Sequence, residues 1–188
     1  MANTEPDGPA PWPTRSEDQV LDCRILTVDR VEASSPRTEK AHTFFRLRSA
    51  DWVNIIPLTH DDEVVMVRQF RHGTREVTLE IPGGMVDSGE DPYVAARRET
   101  REETGYEAHG WSRLGAVAPN PALFDNLCHT YLARDAEKVA EIANEGAEET
   151  HVVLVPLSEI PDRIRSAEIT HALVIAAFHW LDLHGGPA

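Results

Sequence analysis

The stretch from Pro82 to Gly105 carries its own start and stop signals, and it constrains the fold more than any other part of the 188-residue chain. A strand-like run at residues 77–81 ends at Pro82-Gly83-Gly84, where proline removes a donor and two glycines loosen the backbone. Asp91-Pro92 then opens a helix: Asp91 is a good N-cap, and Pro92 suits the first helical position, whose N–H needs no partner. The pattern predicts a helix to about Thr104, with Gly105 as its C-terminal stop. Strand, glycine loop and capped helix follow in direct succession.

That helix carries Glu99, Glu102 and Glu103, spaced i, i+3 and i+4, so the three carboxylates share one face. Four residues rise roughly 6 Å along a helix, close enough for carboxylates on adjacent turns to reach one ion. Like charges so placed cost stability, which Arg97, Arg98 and Arg101 offset in part. In isolation this could be an ordinary charged face with Glu–Arg pairs. The preceding loop changes the balance, because backbone carbonyls at Gly83-Gly84 can face an ion beside the helix start and Glu90 adds a carboxylate. Mg²⁺ takes such oxygen ligands at roughly 2.1 Å and keeps positions for water and phosphate.

Strand character also marks residues 20–31, 42–48 and 53–58. Residues 59–63 read as a hairpin turn into a buried strand at 64–67, and further strands are expected at 111–117, 127–132 and 151–157. Residues 136–143 are expected to be helical, 144–150 to form an acidic loop, and 170–184 to be an amphipathic helix with Leu173, Val174, Ala177, Phe178 and Leu181 on one face. Residues 1–16, with four prolines and few aliphatic side chains, read as a flexible arm, leaving 17–188 as a single domain. This order of elements predicts an α/β sandwich around a mixed sheet.

Net charge is −14, from 32 acidic and 18 basic residues, with no basic run, which argues against long nucleic acid as a partner. No apolar run approaches the roughly 20 residues of a membrane span, and residues 1–5 do not read as a signal peptide. Cys23 and Cys128 are too few for a disulfide framework or a zinc site and are expected as buried thiols in a reducing cytoplasm. The nine histidines show no metal-ligand spacing, and His179 and His184 fall on the last helix.

The run Gly84, five residues, Glu90, seven residues, then Arg98-Glu99-Thr100-Arg101-Glu102-Glu103-Thr104-Gly105-Tyr106 closely resembles the signature box of Nudix hydrolases. Thr100 and Tyr106 depart from it, standing where the family usually has aliphatic residues. The resemblance implies an α/β/α sandwich whose loop–helix–loop binds Mg²⁺, or alternatively Mn²⁺, on a diphosphate. It makes Glu99 and Glu103 metal ligands, Glu102 a ligand or the group that orients metal-bound water, and the Gly83 carbonyl a further ligand. Arg98 would hold the glutamates by salt bridges.

The flanks point to a subgroup. Gln69-Phe70-Arg71 and Leu79-Glu80-Ile81-Pro82-Gly83-Gly84 resemble the run found in ADP-ribose and nucleoside diphosphate sugar pyrophosphatases, and Ala118-Pro119-Asn120-Pro121 resembles their proline-bearing loop. Asn126 departs from it, where many members carry an acid. By resemblance Arg71 contacts a phosphate, Glu80 contacts substrate or supports the metal site, Gly84 lies at the substrate, and Glu149 or Glu148 on a late loop is the general base. Strands within about 20–58 would take part in a homodimer. Trp52 or Phe45 could stack a nucleobase, although a strand aromatic is more often core. The rival readings are a Nudix hydrolase of a dinucleoside polyphosphate, a triphosphate or capped RNA, and a nucleotide-sugar-binding module without catalysis.

Overall fold

The computed structural model describes residues 8–144 and 149–185. Ten strands and three helices follow in order: β1 (Thr14–Asp22), β2 (Thr27–Ser34), β3 (Ala41–Arg48), β4 (Trp52–Leu58), β5 (Glu63–Arg71), β6 (Glu76–Glu80), β7 (Gly83–Met85), α1 (Pro92–Thr104), β8 (Tyr106–Val117), β9 (Cys128–Lys138), β10 (Thr150–Pro156), α2 (Ile160–Arg165) and α3 (Ala172–Leu183). Contacts divide the chain into two compact units, one of residues 1–49 with 120–126, the other of residues 50–119 with 127–188. The break thus falls at 49/50, whereas the expected boundary at 16/17 lies inside β1.

The first unit is an antiparallel sheet, β1-β2-β3. The expected single strand at 20–31 is two strands, because the chain turns at 23–26, where Arg24 adopts a left-handed φ of 66° and Cys23 N–H bonds the Leu26 carbonyl. Every residue of β1 is exposed. Among this unit's described residues only Asp29, Ala33, Ser35 and Asn126 are buried. Asp29 is held by Arg46 and Arg48; its burial alone would raise its carboxyl, but their hydrogen bonds keep it below the ordinary range.

The second unit is built on a mixed seven-stranded sheet in the order β10-β5-β4-β9-β8, with β6 on β5 and β7 on β4. β4 and β9 run parallel, and the other neighbours antiparallel. Val64, Val65, Met66 and Val67 are all buried, as a strand covered on both faces requires. Successive strand residues point to opposite faces. On β4, Ile56 packs with Val174, Phe178 and Leu181 of α3, while Ile55 packs with Ala95 and Ala96 of α1. The two helices therefore cover opposite faces of one sheet, giving the expected α/β/α sandwich.

Several expectations need correction. Residues 136–143 are not helical: β9 continues to Lys138, because Ala133 and Ala136 are buried against the sheet and override helix propensity. β4 is buried at the sheet centre, whereas β1 and most of β3 are exposed. Gly83-Gly84 is not loop but β7, paired to Val53 and Asn54. Cys128 is buried, but Cys23 is exposed. No helix among the described residues is long and apolar enough to cross a membrane.

Candidate active site

Helix α1 forms as its sequence dictates. Asp91 caps it by accepting the Tyr93 N–H at 2.8 Å, Pro92 follows, and Gly105 ends it at φ 73° with its N–H on the Arg101 carbonyl. A side chain at Gly105 would be strained at that φ and would meet the Ala140 carbonyl at 2.2 Å. The inward face carries Ala95, Ala96, Glu99, Thr100 and Glu103. Thr100 replaces the family's aliphatic residue without leaving a buried hydroxyl unsatisfied, because Oγ1 donates to the Ala96 carbonyl at 2.7 Å.

This face turns two carboxylates inward, Glu99 at 8 % and Glu103 at 3 % exposure. Such groups need partners. Glu103 Oε2 accepts the Gly83 N–H at 2.9 Å, and Gly84 leaves the space in which the Glu99 carboxylate sits. Arg98 is the hub: Nη1 donates to Glu99 Oε1 at 2.8 Å and to Glu102 Oε2 at 3.1 Å. Its Nε and Nη2 grip Glu90 at 3.1 and 3.0 Å, and Nη2 also reaches the Met85 carbonyl. Its hydrogen bonds hold the Glu90 carboxyl below the usual range, and these carboxylates in turn raise the Arg98 guanidinium above its ordinary value.

Among the described residues no three His, Cys, Asp or Glu side chains converge as a ready-made metal site. The physical reason is visible: Arg98 draws Glu99 and Glu102 together, while Gly83 takes Glu103. The donor chemistry still fits a hard cation. Three carboxylates, Glu90, Glu99 and Glu102, surround one guanidinium, a single positive nitrogen already bridges Glu99 and Glu102, and Glu103 adds a fourth carboxylate on the same helix, held by the Gly83 N–H. All are oxygen donors of the kind that suits Mg²⁺, with neither thiolate nor imidazole among them.

A second cluster joins Arg71 and Glu80. Arg71 Nε and Nη2 hold the Glu80 carboxylate at 2.8 and 2.6 Å, and Thr78 Oγ1 donates to it at 2.6 Å. Glu80 is 2 % exposed. Burial by itself would raise its carboxyl, but the bonds from Arg71 and Thr78 overcome it and set the value below the ordinary range. His171 Nε2 stands 3.9 Å from Glu80 while its Nδ1 accepts the Leu173 N–H, capping α3. Burial pushes the His171 imidazole down, against the pull of Glu80.

Trp52 is half-buried in β4, opposite Met85, while Phe45 is exposed in the other unit. Glu149 is exposed and precedes Thr150, whose Oγ1 donates to the Glu103 carbonyl at 2.8 Å, so the start of β10 is tied to the end of α1. Glu148 lies outside the described residues.

Sequence reasoning missed Thr78, His171 and Asp51. Thr78 and Glu80 share a face by strand alternation, and His171 directly precedes a helical pattern, so both left a signal. Asp51 left none. Its carbonyl accepts the Val86 N–H just after β7, and its carboxylate accepts from Leu127 N–H and lies 2.9 Å from His129 Nε2.

Comparison with known proteins agrees with this geometry. The NUDIX domain model matches residues 49–178. The "Methanol dehydrogenase activator" of Bacillus methanolicus is 31 % identical over 90 % of this chain and 92 % of its own length. The "ADP-ribose pyrophosphatase" of Bacillus subtilis is 27 % identical with the same coverage. A solved structure described as an ADP compounds hydrolase superposes with TM-score 0.82, covering 95 % of this chain and 98 % of that one at 24 % identity, a likeness of fold.

Proposed function

The chain belongs to the Nudix family, and from that membership we propose that it hydrolyses the diphosphate linkage of ADP-ribose or another nucleoside diphosphate sugar, releasing a nucleoside monophosphate and a sugar phosphate. The observation that carries this reading is Arg98 Nη1 bridging Glu99 and Glu102 beside a Glu103 anchored on the Gly83 N–H. The flanking Arg71–Glu80 pair and the name of the Bacillus subtilis relative support a nucleotide sugar over a triphosphate.

Glu99, Glu102, Glu103 and the Gly83 carbonyl would hold Mg²⁺ or Mn²⁺. When bound, the ion supplies charge neutralisation on the diphosphate oxygens and a lowered pKa for water. Arg98 keeps Glu90 and the residues after β7 fixed against α1, so the carboxylates stay in register. Arg71, oriented by Glu80 and partly exposed, grips a phosphate oxygen. Glu149, or Glu148, accepts the proton of the attacking water. The loop position of Glu149 lets it close on bound substrate.

The protein acts as a homodimer in this reading. Three strands with so few buried residues do not make a stable unit alone, and Val20, Leu21, Phe44 and Phe45 are exposed on them, with Trp12 exposed just before β1. A second copy covering them supplies the missing core. The free thiols Cys23 and Cys128 support a cytoplasmic setting.

The test is a panel of nucleoside diphosphate sugars, dinucleoside polyphosphates, triphosphates and capped RNA, assayed with Mg²⁺ for nucleotide products. ADP-ribose or another nucleotide sugar should be cut fastest. Faster cleavage of any triphosphate or capped RNA than of every sugar would overturn the substrate class.

A further inference from the structure

On its outer side α1 faces β8 across a cavity of about 260 Å³, lined by Val94, Arg97, Arg98, Arg101, Glu107, Ala108 and Trp111. Arg98 adds little charge here, since its guanidinium is committed to Glu90, Glu99 and Glu102. Arg97 is different. It makes no ion pair with any described residue, and its guanidinium carbon lies 5.9 Å from the Tyr93 ring centre. Arg101 stands one turn further along the same face, so both guanidinium groups belong to the lining of one cavity.

Among the described residues only Glu107 offers a carboxylate, through a 2.8 Å bond to Arg101 Nη1. That pair is open to solvent, with side chains 61 % and 45 % exposed. Exposed pairs contribute little and exchange readily. An incoming phosphate would let Arg101 trade one carboxylate for a dianion that Arg97 also reaches, in the planar forked geometry guanidinium groups favour.

The opposite wall is apolar and flat. Trp111 is fixed by its Nε1–H on the Ala108 carbonyl at 3.0 Å and by an edge contact with Tyr93 at 5.7 Å. Ala108 lies beside it on β8, and Val94 adds an apolar side chain from α1. The volume falls just below the roughly 300–1,000 Å³ of drug-sized ligand pockets, which suits a mononucleotide and not a dinucleotide.

We propose that this cleft between α1 and β8 is a second binding site, separate from the carboxylate face, for a nucleoside monophosphate: Arg97 and Arg101 take the phosphate and Trp111 the base. It depends on the proposed reaction only in that such a nucleotide would be its product, which would make the site one for product feedback.

The test is calorimetric titration of the intact protein in EDTA with adenosine monophosphate, ribose 5-phosphate, adenosine and inorganic phosphate. Adenosine monophosphate should bind tightest, because it alone uses both walls. Arg97→Glu should weaken it by about tenfold or more, the worth of a charge-assisted hydrogen bond. Glu107→Gln removes the competing carboxylate and should tighten it severalfold, a gain that damage to the fold would not produce. Both variants should cleave nucleotide sugars at the wild-type initial rate, so failure of the proposed reaction would show in turnover and not in these titrations. Equal affinity in wild type and both variants would overturn the site. So would Glu107→Gln binding no more tightly than wild type, and adenosine monophosphate binding no better than inorganic phosphate would overturn the ligand.

Discussion

Gly84 and Glu99 are matched in shape: a Cβ at Gly84 would lie 2.3 Å from Glu99 Oε1 and 2.5 Å from its Cδ. The clash is with the far end of a flexible side chain, so Gly84→Ala can be accommodated by swinging the carboxylate aside. The fold should survive, with a melting temperature close to wild type. Activity should not, since a displacement of about 1 Å in a catalytic constellation can cost about 100-fold. Steady-state kinetics beside a melting curve decides it. Wild-type turnover in Gly84→Ala would show that Glu99 has no fixed part in catalysis.

Glu103→Gln separates charge from packing. A glutamine oxygen still accepts the Gly83 N–H, so the 2.9 Å bond and the buried volume are kept. What is lost is a negative charge at the proposed cation site. Turnover at saturating Mg²⁺ should fall by two or more orders of magnitude, because metal charge stabilisation is worth several kcal/mol. Near-normal turnover in a folded variant would remove Glu103 from the ligand set.

Mg²⁺ should also stabilise the folded state, since it binds carboxylates gathered only there. At a hundredfold excess over its Kd the gain is about 2.7 kcal/mol, or roughly 5–10 °C for a domain of this size. Melting curves in EDTA and in excess Mg²⁺ measure it. Glu103→Gln should shrink the shift, and an equal shift in both proteins would locate the ion elsewhere.

The parts of this site that were legible in sequence are those whose cause is local. Asp91, Pro92 and Gly105 bracket α1 by caps, and the spacing of Glu99, Glu102 and Glu103 follows from helical periodicity. Pairing across the sheet left no such trace. Gly83-Gly84 became β7 because β4 was available beside it, and residues 136–138 became strand because β8 ran alongside them. Nor could spacing reveal that Arg98 would gather Glu90, Glu99 and Glu102, since that depends on how the residues after β7 fold back on α1.

Arg71 and Glu80 form an ion pair with one buried partner, and removing one partner of a buried pair is costly. Glu80→Gln should destabilise the protein at neutral pH by about 1.5 kcal/mol, the worth of a charge-assisted hydrogen bond, since the guanidinium left behind is itself 43 % exposed. The sign with pH follows from the depressed Glu80 carboxyl. Its contribution is fully present above the ordinary glutamate value of about 4.3 and is lost as pH falls through the lower folded value. Denaturant melts should therefore show the gap between wild type and variant closing below about pH 4. A gap unchanged at pH 3 would mean the charge on Glu80 contributes nothing.

His171 gives the opposite test, because it is a base whose folded value is depressed. Above the ordinary value of 6.5 both folded and unfolded chains hold it neutral, and it leaves stability independent of pH. Below that value the unfolded chain takes up a proton first, so stability falls as pH drops from about 6.5 toward the lower folded value. Protonation also conflicts with the cap, since Nδ1 must accept the Leu173 N–H at 3.3 Å. Asparagine caps helices as well as any residue and does not titrate. His171→Asn should match wild type near pH 8 and lose less stability between about pH 6.5 and 5. Thermal melts across that range supply the comparison, and parallel curves for the two proteins would show that His171 is not the group responsible.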